Sequence, residues 1–121
     1  MNAFLESILG GLHAGVVVTD RELRVRAWNE QARDLWGLTS VEVHDQHLMN
    51  LDIGLPVDQV MPVLRSALSG DSSDGEVTLE ATNRKGRSIL VRVRVSPMVG
   101  PEAEVEGAIV VMEEVDAKQA E

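Results

Sequence analysis

The sequence predicts an α+β domain built on one five-stranded antiparallel sheet, and three observations carry that reading. Two short strands run directly into a capped helix near the N-terminus. Short helical stretches occupy the middle of the chain. Three strands then close it, giving the order helix–β–β–α–α–α–β–β–β. With 121 residues and 44% hydrophobic composition, the chain is one domain with enough apolar material for a real core.

The first hairpin spans residues 15–28. Gly15 to Thr19 is a β-branched run, stopped by the polar turn Asp20-Arg21-Glu22. Leu23 to Trp28 then alternates, which assigns Val25 and Ala27 to one face and Arg24, Arg26 and Trp28 to the other. Asn29 follows as an N-cap, a structural role for its side-chain oxygen rather than a ligand contact. Ala32, Leu35 and Trp36 recur at helical spacing, and Gly37 ends the helix. Thr39-Ser-Val-Glu42 is a capping box opening a short helix that ends before His47. Leu48 to Leu55 reads as one turn plus loop.

The longest helix is predicted over Leu55–Gly70, with Val57, Val60, Met61, Leu64, Ala67 and Leu68 on one face. Pro62 removes a helical hydrogen bond. The helix therefore either begins near Asp58 or carries a kink. Strands are predicted at Glu76–Thr82, Ser88–Ser96 and Val105–Val115, with a hairpin turn at Asn83–Gly86 and a loop over Pro97–Glu104. Residues 2–12 form an amphipathic helix whose stripe is Phe4, Leu5, Ile8, Leu9 and Leu12. So short a helix is marginal alone and must pack on its own sheet or on a partner. Val17 and Trp28, read as facing away from the core, are the expected receptors for it.

Charge and composition exclude several function classes. The net charge of −9 opposes nucleic-acid binding. Bases cluster at Arg84, Lys85, Arg87, Arg92 and Arg94, and acids dominate from Glu102 to Glu121. If these segments are neighbouring strands, their charges meet across the outer face of the sheet. No apolar run is long enough to span a bilayer and no signal peptide is visible, so a cytoplasmic protein without membrane insertion is expected. There is no cysteine, hence no disulfide, thiolate nucleophile or cysteine-held metal. No nucleophile motif or phosphate-cradling loop occurs, and no enzyme activity is expected. His44 and His47, beside Asp45, are read as surface histidines, and no metal site is assigned.

The quoted residues, in order, resemble the PAS family over nearly the whole chain. The matching pieces are Gly15-Val-Val-Val-Thr-Asp20, Trp28-Asn29, Leu35-Trp36-Gly37, Asn83-Arg-Lys-Gly86, Val91-Arg-Val-Arg-Val-Ser-Pro97 and Gly107-Ala-Ile-Val-Val-Met112. The stretches Leu51–Val60 and Glu80–Gly86 look more specifically like PAS segments attached to fused chemotaxis methylesterase–methyltransferase proteins. The resemblance implies short helices packed on one face of the sheet and a sensory or interaction module in a larger signalling chain. It implies residues 1–13 as a dimerisation helix, 14–115 as the core and 116–121 as an exit helix or linker.

A homodimer is then expected through Phe4, Leu5, Ile8, Leu9, Leu12 and Trp28, with output through Glu114, Val115 and Asp116 to neighbouring effector domains. The family's usual Asp-Ile-Thr ending is replaced here by Glu114-Val115-Asp116. Trp36, Leu48, Met61, Leu64, Val91, Val93 and Met112 either fill one another's gaps or line a pocket for a small-molecule ligand. The cysteine-adduct flavin chemistry of some relatives is excluded here. Haem is disfavoured as well, because none of His13, His44 and His47 lies on the 58–69 helix where haem-binding relatives carry their ligand. No cofactor is expected.

Overall fold

The first hairpin forms as expected, with one deviation that turns a side chain to the opposite face. The computed structural model describes residues 14–51, 53–69 and 75–115. Strands β1 (Gly15–Asp20) and β2 (Val25–Trp28) pair antiparallel around a turn at Arg21-Glu22. Asp20 holds that turn. Its Oδ1 accepts the Glu22 and Arg24 amides at 2.9 and 3.0 Å, and its Oδ2 accepts from Arg26 Nη2 at 2.8 Å.

Val18 pairs with Ala27 but Thr19 pairs with Val25, so Arg26 is the extra residue of a β-bulge. The bulge breaks the alternation read from the sequence and brings Trp28 to the same face as Val25. Trp28, expected on the outer face, is instead 6% exposed and part of the core, and its Nε1 donates to the Leu38 carbonyl at 2.8 Å. Val17 is likewise a core residue.

Helix α1 (Glu30–Trp36) starts at the Asn29 cap and ends where Gly37 takes φ 87°, its amide donating to the Arg33 carbonyl at 2.7 Å. Helix α2 (Ser40–Val43) carries the reciprocal Thr39–Glu42 capping box. Residues 45–48 then run along β2. The Val25 amide donates to Gln46 O at 2.9 Å, Asp45 N to Val25 O at 2.9 Å, and Leu48 N to Leu23 O at 2.8 Å. A single 3-10 turn (Leu48–Asn50) is capped by His47, whose Nδ1 accepts the Met49 amide at 3.1 Å. Helix α3 (Val57–Ser69) begins at Val57, and Pro62 lies inside it beyond the first turn. Gly70, expected as its stop, and the exit segment 116–121 lie outside the described residues.

Strands β3 (Gly75–Thr82), β4 (Ser88–Val99) and β5 (Val105–Val115) complete an antiparallel sheet of order β2-β1-β5-β4-β3. One boundary departs from the sequence reading: β4 continues through Pro97, which pairs with Ala108, so the loop begins only at Gly100. The register explains why proline is tolerated. Odd residues of β4 aim their backbone groups toward β3, whose first described residue, Gly75, lies opposite Val95. The missing amide of Pro97 therefore faces the β3 side beyond Gly75, where none of the described residues pairs with it.

Helices α1 and α3 pack on one face of the sheet. Val60, Leu64 and Ala67 of α3 join Val91, Val93, Val95, Val110 and Met112 in one apolar cluster. Each large side chain so buried stabilises the fold by about 1.5–3 kcal/mol. On the opposite face Arg92 donates to its register partner Glu113 at 2.9 Å. Glu76 lies 3.4 Å from Arg92 and 3.2 Å from Arg94. The basic and acidic segments thus meet across neighbouring strands, at about 0.2–1 kcal/mol per pair.

Candidate functional site

The interior between sheet and helices is built by the strand-to-helix joint at Asn29. This side chain is 3% exposed. Its Oδ1 accepts two amides, Val16 N and Ala32 N, each at 2.9 Å, and its Nδ2 donates to Ala14 O at 3.0 Å. One residue thereby clamps the start of β1 to the first turn of α1. That fixes α1 across the sheet, with Ala32 and Trp36 turned inward.

Six of the seven pocket candidates come together here. Trp36, Leu48, Leu64, Val91, Val93 and Met112 are buried members of one apolar cluster, and Met61 is partly exposed against it. They line none of the open cavities described among these residues. Those cavities lie along β3 (about 640 Å³), beside β2 and α2 (about 420 Å³), and between α1 and the β3–β4 turn (about 200 Å³).

Among the described residues, two buried polar side-chain atoms have no hydrogen-bond partner, Thr19 Oγ1 and Trp36 Nε1. Leaving such a group unsatisfied costs about 1–3 kcal/mol. Thr19 is 0% exposed and was not singled out from the sequence. The sequence reading hid it, because alternation ties Thr19 to the face of Val17, and that face was read as turned away from the core.

At the same end of the sheet, where Gly15 pairs with Met112, β5 lies between β1 and β4 and runs on to Val115, which is buried while Glu114 is exposed. Glu114 borders the 200 Å³ cavity together with Asp34, Arg84 and Lys85. Asp116, and the dimer candidates Phe4, Leu5, Ile8, Leu9 and Leu12, lie outside the described residues, as does His13.

His44 is exposed at the end of α2, and among the described residues no group of three His, Asp or Glu could hold a metal ion. Two carboxylates have lowered pKa values. For Asp20, burial raises the value, but the Arg24 amide, the Arg26 guanidinium and the Glu22 amide outweigh it. For Glu42, the Thr39 amide and then the Thr39 hydroxyl favour the charged form. Both are fixtures of turns and caps rather than reacting groups. Among the described residues, no helix is long and apolar enough to cross a membrane.

Comparison with known proteins agrees with this geometry. The chain is 32% identical over 114 residues to the nitrogen regulation protein NtrY of Azorhizobium caulinodans, covering 93% of this chain but only 14% of that protein's length. The PAS domain of a Colwellia psychrerythraea protein superposes with a TM-score of 0.74 at 16% identity, covering 93% of this chain and 95% of that one. VqmA bound to DPO superposes at 0.79 with 11% identity, covering 94% of this chain and 58% of that one. At such identities the two structures speak for the fold alone. A family model described as PAS fold matches residues 3–115. The chain therefore belongs to the PAS fold family.

Proposed function

We propose that this domain is a sensory and protein-interaction module of a larger bacterial-type signal-transduction protein, relaying conformational change through dimer contacts and the C-terminal end of β5. As a PAS-fold domain it is regulatory rather than catalytic in itself. The observation that carries the proposal is the position of β5. It bonds to β1 on one side and β4 on the other, so any change in the sheet is felt by the strand that leads out at Glu114-Val115. The parent protein we propose is of the nitrogen-regulation type, since that is the relative found at 32% identity. The chemotaxis attachment has no such support.

The dimer is proposed to form through Phe4, Leu5, Ile8, Leu9 and Leu12 against the face opposite the helices. Val18, Ile109 and Val111 lie half-buried there and replace Trp28 as receptors. Light scattering tests this. Leu5→Glu with Leu9→Glu is expected to give a folded monomer, and an unchanged dimer defeats the assignment. With no cysteine, the module is proposed to work in the cytoplasm without a covalently trapped flavin.

A second reading, a metabolite sensor with its ligand between sheet and helices, is favoured by the unpartnered Thr19 Oγ1 and Trp36 Nε1. A ligand whose polar group reached either atom would satisfy it and shift the domain between two states. Native mass spectrometry separates the readings. A dimer without added mass supports the first, and a stoichiometric small adduct supports the second.

A further inference from the structure

The two edges of the sheet are finished differently. The β2 edge is covered by residues 45–48 of the same chain through the backbone bonds given above. The β3 edge is not. The Thr82 amide points away from β4 and donates to Gly54 O at 3.0 Å, whereas the Asn83 amide points across the hairpin to Arg87 O at 2.9 Å. Because backbone direction alternates along an antiparallel ladder, Glu80 and Thr78 also aim their amides and carbonyls away from β4. Among the described residues no backbone group answers them.

They open into the groove of about 640 Å³, walled on its far side by Ile53, Leu55, Pro56 and Gln59. Gly54 closes one end. A Cβ there would lie 1.6 Å from Thr82 O, so only glycine lets the loop come this near the strand.

We propose that this groove takes an extended, lysine- or arginine-bearing peptide segment of a partner protein, which adds to β3 as a further strand. Gly54 takes the Thr82 amide, so the free edge runs from Thr78 to Ala81, about 10 Å, enough for roughly three extended residues. Two consecutive outward positions, Thr78 and Glu80, supply the donor and acceptor pairs that strand addition uses. Inward side chains of the added segment meet Ile53, Leu55 and Pro56. Outward ones lie beside Glu80, which is exposed and makes no ion pair among the described residues.

That carboxylate, on a chain of net charge −9, selects a basic segment. It also disfavours a second copy of this chain. Two β3 edges paired antiparallel about Thr78 would set Glu80 directly opposite Glu76 of the second copy, a destabilising like-charge pair.

The test uses the whole chain and two short capped peptides, one alternating lysine with valine and one alternating glutamate with valine. Amide hydrogen exchange is read by NMR at Thr78 and Glu80. In an excess of the lysine peptide, exchange at both amides should slow by about tenfold or more, and the glutamate peptide should bind about tenfold more weakly. Glu80→Lys should reverse that order. Thr78→Pro deletes an outward amide that the β3–β4 ladder does not use, so the fold should stand and the peptide should no longer protect Glu80.

Equal protection by both peptides, or none by either, overturns the proposal. Protection that grows with protein concentration in the absence of peptide also overturns it, in favour of a second copy. Should Thr78→Pro fail to fold, the reversal by Glu80→Lys decides alone.

Discussion

Replacing Asn29 by alanine should cost the domain about 3–5 kcal/mol, far more than the loss of an ordinary helix cap. A cap alone is worth about 0.5–2 kcal/mol. Asn29 does more, because it holds Val16 N, Ala32 N and Ala14 O at once. These three residues are 0%, 0% and 3% exposed, so no freed backbone group can turn to water without the joint opening. At about 1–3 kcal/mol for each stranded group, the upper limit is near 9, and partial opening of the joint lowers it to the expected range. Against a total stability of about 5–15 kcal/mol, this is a large share.

Asn29→Ser separates the two roles. Serine can still cap the Ala32 amide but is too short to reach β1 as well, so its loss should fall between wild type and alanine. Urea unfolding of the three proteins, with the denaturant slope unchanged, reads the differences. An alanine variant within about 1 kcal/mol of wild type would refute the clamp, and a serine variant equal to wild type would reduce Asn29 to a simple cap.

Three further outcomes follow from single side chains. Leu64, fully buried on the inward face of α3, should cost about 2–5 kcal/mol as Leu64→Ala, measured by chemical denaturation; a smaller loss would mean the cluster collapses to fill the space. Thr19→Val removes a buried hydroxyl without a partner while keeping the β-branched shape, so the ligand-free protein should gain about 1 kcal/mol. A loss would reveal a water or ligand bonded to that hydroxyl. Asp20 has a folded pKa below its unfolded value, so its stabilisation is complete above about pH 4 and disappears as pH falls through the folded value. Asp20→Asn should flatten that acid limb of the stability curve, and a limb of unchanged slope would rule out Asp20 as its source.

The parts of the fold written in local sequence were legible. The Asn29 cap, the Thr39–Glu42 box, the Gly37 stop and the β5 boundaries follow from residue type and spacing within a few positions, and the structure has them. Two features depended on pairing between distant segments and were read wrongly. Trp28 obeys alternation in the sequence but not in the sheet, because one extra residue in β2 is visible only against the register of β1. Pro97 looks like a strand terminator until the register places it opposite Ala108 with its backbone nitrogen turned away from β5. The candidate pocket residues were recognisable as core from their spacing. Whether they enclose space depends on side-chain fit, which periodicity does not carry.

The same dependence on pairing decides how a signal could travel. The sheet order makes β4 the only strand between the β3 edge and β5, and β5 the only one that reaches both halves of the sheet. An event at the β3 edge therefore reaches Val115 through the β4–β5 ladder, where Arg92 is tied to Glu113 on one side and to Glu76 of β3 on the other. An event in the interior instead reaches β5 directly, through Val110 and Met112. Either route transmits only the difference in binding free energy between two arrangements of the sheet, and a ligand that binds both equally shifts nothing. Cutting the Arg92 tie should therefore weaken the coupling of an edge event to β5 by no more than about 0.2–1 kcal/mol while leaving an interior event intact, because the backbone ladder from Leu90 to Val99 carries the rest.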